Sequence, residues 1–211
     1  MSIVILDYGL GNVESISNAF EFNGEKAVLS RDVTKISDAD GLVLPGVGAF
    51  SHGMMNLKKY NLISEIKDFV NSGKPLLGIC LGMQMLLEES EEFGITEGLG
   101  LVKGRVIKIP IGKSNKLPHI SWNGVYKKKI NWENTILNNI QDSSDMYFVH
   151  SFIAELEDEN EVLSTTSYSG IEFCSSLKKE NVYGCQFHPE KSSISGLSII
   201  ENFIKICKKT I

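Results

Sequence analysis

The stretch Leu76-Leu77-Gly78-Ile79-Cys80-Leu81-Gly82-Met83-Gln84 decides the fold. Leu76 to Ile79 carries no charge and predicts a buried strand, and helix-like spacing from Gly82 to Glu89 follows it. Between the two stands Gly78-Ile79-Cys80-Leu81-Gly82, a Gly-x-nucleophile-x-Gly turn. A sharp strand-to-helix turn holds its central residue in a strained conformation and needs small flanking residues, because side chains there collide with neighbouring elements. The following helix would aim its amides and dipole at the Cys80 thiol, favouring thiolate, and Leu81 N–H would face a developing oxyanion. Taken alone, the motif reads first as a small buried cysteine at a Gly-rich strand end. Its neighbours decide between the two.

Outward from this turn the same alternation recurs. Ser2 to Leu6 is apolar, Asp7-Tyr8-Gly9-Leu10-Gly11-Asn12 is a loop, and Val13, Ile16, Ala19 and Phe20 have helical spacing. Gly41 to Leu44 runs into Pro45-Gly46-Val47-Gly48, and Leu62 to Val70 is again helix-spaced. Short apolar strands alternating with helices predict a buried parallel sheet. Beyond about Gly100 the pattern turns β-rich, at Val102 to Ile109, Tyr147 to Ala154, Val162 to Thr166 and Val182 to Phe187, before an amphipathic helix from about Leu197 to Cys207. The expected fold is a single three-layer α/β domain over residues 1–211, flavodoxin-like, with a central, mostly parallel sheet and a mixed β extension.

Composition excludes several classes of function. With 21 Lys+Arg against 26 Asp+Glu there is no basic footprint for nucleic acid. No apolar run approaches the roughly 20 residues that span a bilayer, and the Met1 end lacks a basic, cleavable leader, so a cytoplasmic chain is expected. The four cysteines, Cys80, Cys174, Cys185 and Cys207, never form a Cys-x-x-Cys, which argues for free thiols and for no metal site. Lys127-Lys128-Lys129 reads as a solvated turn. Gly9-Leu10-Gly11 begins a dinucleotide fingerprint but has Glu14 where the third glycine belongs, so no nucleotide cofactor is expected.

A cysteine nucleophile needs a base, and the candidates are His52, His119, His150 and His188. His188-Pro189-Glu190 follows a β-like run, and Pro189 keeps a helix from starting at His188. Side chains two apart on extended backbone share a side, so Glu190 could orient one ring nitrogen while the other faces the nucleophile. His52 and His150 have no carboxylate nearby in sequence. Pro45-Gly46-Val47-Gly48 follows a strand end and should share the carboxyl edge of the sheet with Cys80. The glycines flanking Val47 would let its N–H turn toward a tetrahedral intermediate beside Leu81 N–H.

In order, Pro45-Gly46-Val47-Gly48, Gly78-Ile79-Cys80-Leu81-Gly82-Met83-Gln84 and Gln186-Phe187-His188-Pro189-Glu190 resemble the class I (triad) glutamine amidotransferases. Asp7 to Asn12, Pro118-His119-Ile120-Ser121-Trp122-Asn123, Tyr147 to Phe152 and Glu190-Lys191-Ser192 extend the resemblance over nearly the whole chain. These stretches are similar to the family's branch of glutaminase subunits of imidazole glycerol phosphate synthases. The resemblance implies that Cys80 attacks the glutamine carboxamide, His188 moves protons, Glu190 orients His188, and the Val47 and Leu81 amides form the oxyanion hole. It implies substrate contacts at Gly46, Gly48, Gln84, Glu92, Ser151 and Phe152, and a (β/α)8-barrel cyclase partner met by Asn12, Ile120, Trp122, Tyr147 and Lys191. One departure is Ser121, where the family usually has glycine, and it bears on the partner. The alternatives are a paralogue supplying ammonia to surface-polysaccharide sugars, a non-catalytic binding subunit on the same fold, and a thiol peptidase.

Overall fold

The structure, a computed structural model, describes residues 1–112 and 116–209. The first half alternates strand and helix: β1 (Ile3–Leu6), α1 (Val13–Phe22), β2 (Ala27–Ser30), α2 (Val33–Asp38), β3 (Gly41–Leu44), α3 (Phe50–Lys59), α4 (Leu62–Asn71), β4 (Leu76–Ile79) and α5 (Leu81–Met85). The second half is mostly strand: β5 (Glu89–Ser90), β6 (Thr96–Glu97), β7 (Gly104–Lys108), β8 (His119–Gly124), β9 (Tyr126–Lys127), β10 (Asp145–His150), β11 (Phe152–Leu156), β12 (Val162–Tyr168), β13 (Ile171–Lys179) and β14 (Val182–Cys185). Helix α6 (Ser193–Lys209) follows.

The large sheet runs β2-β1-β3-β4-β14-β13-β11-β7-β5-β6, with β12 on β13 and β9 on β12. Its first five strands are parallel, and β13, β11 and β7 continue it antiparallel, so the sheet is parallel at its centre with a mixed extension. Strand β1 shows why both faces must be covered. Ile3 and Ile5 pack with Phe20 of α1 and Phe203 of α6, while Val4 and Leu6 pack with Leu57 of α3 and Ile66 of α4. Burying these alternating apolar side chains on opposite faces produces the three layers.

Among the differences from the sequence expectation, three have a plain physical cause. The helix expected from Gly82 to Glu89 closes after Met85. Amides from the returning chain take its carbonyls, Leu99 N–H bonding Met85 O at 2.9 Å and Leu101 N–H bonding Leu86 O at 2.9 Å, so another turn has nothing to bond. The run Tyr147 to Ala154 is two strands in two sheets: β10 pairs with β8 in a separate ribbon, and β11 pairs with β7 and β13. The break is Ser151, whose carbonyl accepts from Ile109 N–H at 3.0 Å. Strand β13 has no counterpart in the expectation because it buries Ser175 and Ser176, which Ser164 of β12 satisfies at 2.8 and 2.6 Å.

Candidate active site

Strand order places the site. β4 lies between β3 and β14, and all three are parallel, so their carboxyl ends deliver Cys80, the Pro45 to Gly48 loop and the His188 segment to one edge. Cys80 sits at φ 54° and ψ −110°, a conformation that costs a side-chain-bearing residue on the order of 1–3 kcal/mol. Its backbone is pinned on both sides, with Cys80 N–H donating to Cys185 O at 2.7 Å and Gln84 N–H donating to Cys80 O at 3.1 Å. Gly82 is forced, because a Cβ there would run into the Leu44 carbonyl of β3. With α5 reduced to five residues, any pull on the thiol comes from its first amides rather than from a long helix dipole.

His188 and Glu190 meet, but not on the extended backbone expected from their spacing. Pro189–Lys191 forms a 3-10 turn with His188 as its N-cap, and this turn brings Glu190 Oε1 to 2.8 Å from His188 Nδ1. The His188 backbone is fixed by Tyr147 O at 2.9 Å and by the Ser192 hydroxyl, which donates to His188 O at 2.6 Å. His188 Nε2 and Glu190 Oε2 are buried without a hydrogen-bond partner. Burial opposes charging the ring, yet Cys80 and Glu190 together outweigh it and raise its pKa from 6.5 to about 10. Cys80 contributes through both hydrogen bonding and charge, although the contact falls short of full hydrogen-bond geometry, as in many sites that tighten only around substrate.

A cleft of about 580 Å³ opens over these groups, and its lining includes Val47, Gly48, Cys80, Leu81, Gln84, Glu92, Ser151, Phe152 and His188. Gly46 lies beneath the lining, since a Cβ there would meet Gly82 N and Leu81 Cβ at 2.7 Å. Residues 4–207 match the family described as Glutamine amidotransferase class-I.

The chain belongs to the class I glutamine amidotransferases.

It is 49% identical to imidazole glycerol phosphate synthase subunit HisH 1 of Legionella pneumophila (strain Lens), covering 97% of this chain and 99% of that protein. It is 48% identical to subunit HisH of Aquifex aeolicus (strain VF5), covering 99% of both. Among solved structures the fold is shared with a crystal structure of glutamine amidotransferase (TM-score 0.75, 17% identity, 98% of each chain) and with PurLQS from Thermotoga maritima (TM-score 0.73, 21% identity, 97% of each chain).

In this amidotransferase two cleft groups are already engaged by the protein. Gln84 Nε2 donates to Phe152 O at 3.0 Å and to Gln186 Oε1 at 2.9 Å, which uses both amide hydrogens and leaves Oε1 to face a ligand. Glu92 is the second. Its Oε2 accepts from Phe50 N–H at 2.7 Å, capping the start of α3 and holding the carboxylate at the cleft. The cleft of the amidotransferase also contains Phe93, Lys108, Leu117, Pro118, Val149 and His150, which sequence reasoning did not assign to it. Lys108 could have been found only through its pairing with Phe152 across β7 and β11, a register that the sequence does not display.

The residues expected at a partner face divide into two groups. Ile120 and Trp122 are 57% and 50% exposed on β8, and Lys191 is exposed at the 3-10 turn. Asn12 and Tyr147 are only partly exposed and connect inward. Asn12 Nδ2 donates to Glu190 Oε1 at 3.3 Å, and the Tyr147 ring lies 6.0 Å from Trp122 and 6.5 Å from His188.

Proposed function

We propose that this chain is the glutaminase subunit of an imidazole glycerol phosphate synthase, hydrolysing L-glutamine to glutamate and ammonia and passing the ammonia to a (β/α)8-barrel cyclase in histidine biosynthesis. The carrying observation is that Cys80 on its strained turn and His188 with an unpartnered Nε2 both line the cleft, with the buried Glu190 on His188 Nδ1 at 2.8 Å. In this reading the Cys80 sulfur adds to the glutamine Cδ, and the oxyanion is held by the Val47 and Leu81 amides. The C–N bond then breaks as His188 protonates the departing ammonia, leaving a thioester. Water adds next, giving its proton to His188, and the C–S bond breaks to release glutamate. Glu190 keeps the ring oriented and stabilises its charged form. Gly46, Gly48, Gln84, Glu92, Ser151 and Phe152 shape the substrate pocket.

The partner is met by Asn12, Ile120, Trp122, Tyr147 and Lys191, and the half-exposed Trp122 is the kind of aromatic that anchors an interface. The whole is one amidotransferase domain over residues 1–211, joined to the cyclase as a heterodimer with a shielded route for ammonia. A cytoplasmic setting fits the chemistry, since a thiol nucleophile must stay reduced and all four cysteines are free. Ser121 supports a second reading of the acceptor, a surface-polysaccharide sugar, with the same glutaminase chemistry.

Cys80→Ala tests the reading. Glutamine-dependent synthesis by the complex should vanish while ammonia-dependent synthesis persists, and undiminished glutamine hydrolysis would refute the nucleophile. Stimulation by a sugar-pathway partner alone would move the acceptor.

A further inference from the structure

A chain of polar contacts runs from β8 into the cleft and has no part in the relay above. His150 Nδ1 lies 2.9 Å from Phe152 O, His150 Nε2 lies 3.0 Å from His119 Nδ1, and His119 Nε2 lies 2.9 Å from Ser121 Oγ and 2.8 Å from Asn123 Oδ1. Ser121 Oγ also contacts Asn123 Oδ1. Both rings are buried, and His119 is stacked between Phe148 at 5.1 Å and Tyr168 at 4.0 Å.

The direction of these bonds follows from counting hydrogens. Phe152 O only accepts, so His150 Nδ1 carries the hydrogen. Two neutral imidazoles supply two N–H groups, and the second must sit on His119 Nδ1, pointing at the lone pair of His150 Nε2. His119 Nε2 is then an acceptor and needs a donor. Ser121 supplies one from its hydroxyl. Asn123, placed with Oδ1 toward Nε2, would set lone pair against lone pair. Turning its amide end for end leaves the shape unchanged and brings Nδ2 there, so that Nδ2–H donates to Ser121 Oγ while the Ser121 hydroxyl hydrogen goes to His119 Nε2, at the loss of a long 3.4 Å bond to Ser167 O. The alternative is a third proton on a buried ring. Burial, the largest influence on each, pushes both histidines down, His150 from 6.5 to about 3.

From this geometry we infer that Ser121, His119 and His150 form a neutral relay of fixed direction that positions the Phe152 carbonyl and, through it, Gln84 in the glutamine pocket. Phe152 O takes two donors, His150 Nδ1–H and Gln84 Nε2–H, so the relay and the cleft share one acceptor. The three are positioning residues and touch no reacting atom. Ser121 acquires a task here: it supplies the hydroxyl hydrogen that completes the count, on the strand that carries Ile120 and Trp122. The inference rests on reading the cleft as a glutamine site, although the bond directions stand without it.

Two measurements test it on the full chain, the second with its synthase partner present. Nitrogen-15 spectra of the wild type at neutral pH should show both rings protonated at Nδ1 and bare at Nε2; an Nε2–H tautomer or an imidazolium at either ring overturns the relay. In steady-state assays His150→Leu should raise the glutamine KM about tenfold with kcat within about threefold, and His150→Asn, which keeps a donor for Phe152 O, should recover most of the loss. Ser121→Ala should give an intermediate KM. An unchanged KM, or a fall in kcat alone, overturns the positioning role. A wild type that hydrolyses no glutamine would overturn the functional reading instead, and the spectra would still decide the bond directions.

Discussion

Asn12 occupies the N-cap position of α1, yet its side chain does not cap the helix and instead reaches Glu190 Oε1 at 3.3 Å. Asn is among the best capping residues, worth about 1 kcal/mol in that role. Here that stabilisation is given up for a contact with the carboxylate that holds His188. Asn12→Ser should therefore cap α1 and leave thermal stability unchanged or slightly higher, while lowering glutaminase kcat by roughly three- to tenfold through loss of the Glu190 contact. Paired melting curves and steady-state kinetics check this; a Tm drop with intact kcat would contradict it.

Glu190→Gln keeps the shape and removes the charge that His188 feels. By analogy with the loss of the carboxylate from other triads, kcat should fall by about 10²- to 10⁴-fold with little change in KM. Stability should respond to pH as well. In the fold His188 is raised from 6.5 to about 10, so folding takes up a proton in that window. The stability this supplies is complete below pH 6.5 and drains as pH rises toward about 10. Denaturant unfolding between pH 6 and 10 should show a steeper decline for wild type than for Glu190→Gln, whose ring is raised less.

Gly46 and Gly48 flank Val47 but are glycines for different reasons. A Cβ on Gly46 meets Gly82 N and Leu81 Cβ at 2.7 Å, whereas a Cβ on Gly48 meets nothing within 4 Å and is opposed only by φ +108°. Gly46→Ala should cost about 2–4 kcal/mol and push the Val47 loop off the Cys80 turn, abolishing most activity, while Gly48→Ala should cost nearer 1 kcal/mol. Equal effects in chemical denaturation would show that the packing against Leu81 is looser than described.

Glu92→Gln retains an oxygen for Phe50 N–H and removes the negative charge. The N-terminus of α3 should lose about 0.3–1 kcal/mol. If the carboxylate receives the substrate ammonium, the glutamine KM should rise by roughly ten- to a hundredfold at nearly constant kcat. A KM that does not move would assign Glu92 to capping alone.

The parallel half of the fold was legible because strands buried on both faces, such as Leu76 to Ile79, read as unbroken apolar runs between glycine turns. Cys80, Val47 and His188 were legible for the same reason: each follows such a strand, so a shared edge places them together. The extension was harder. Strand β13 buries Ser175 and Ser176 among Phe173, Cys174 and Leu177, and those two hydroxyls, satisfied by a serine on another strand, break up the apolar run that would have marked a strand. The relay contact was expected on extended backbone, and a 3-10 turn makes it instead. Asn12 and Glu190 lie 178 positions apart, and only the packing of α1 beside the 3-10 turn brings them together. The His119–His150 pair joins strands whose antiparallel register is set in space rather than by any local pattern.

The turn at Cys80 has a consequence for how this chain can change. A backbone at φ 54° and ψ −110° suits glycine better than any residue with a side chain. Stability and reactivity therefore pull in opposite directions at this one position. Replacing Cys80 with glycine would relieve the backbone at the cost of the thiol, so this position trades robustness for reactivity.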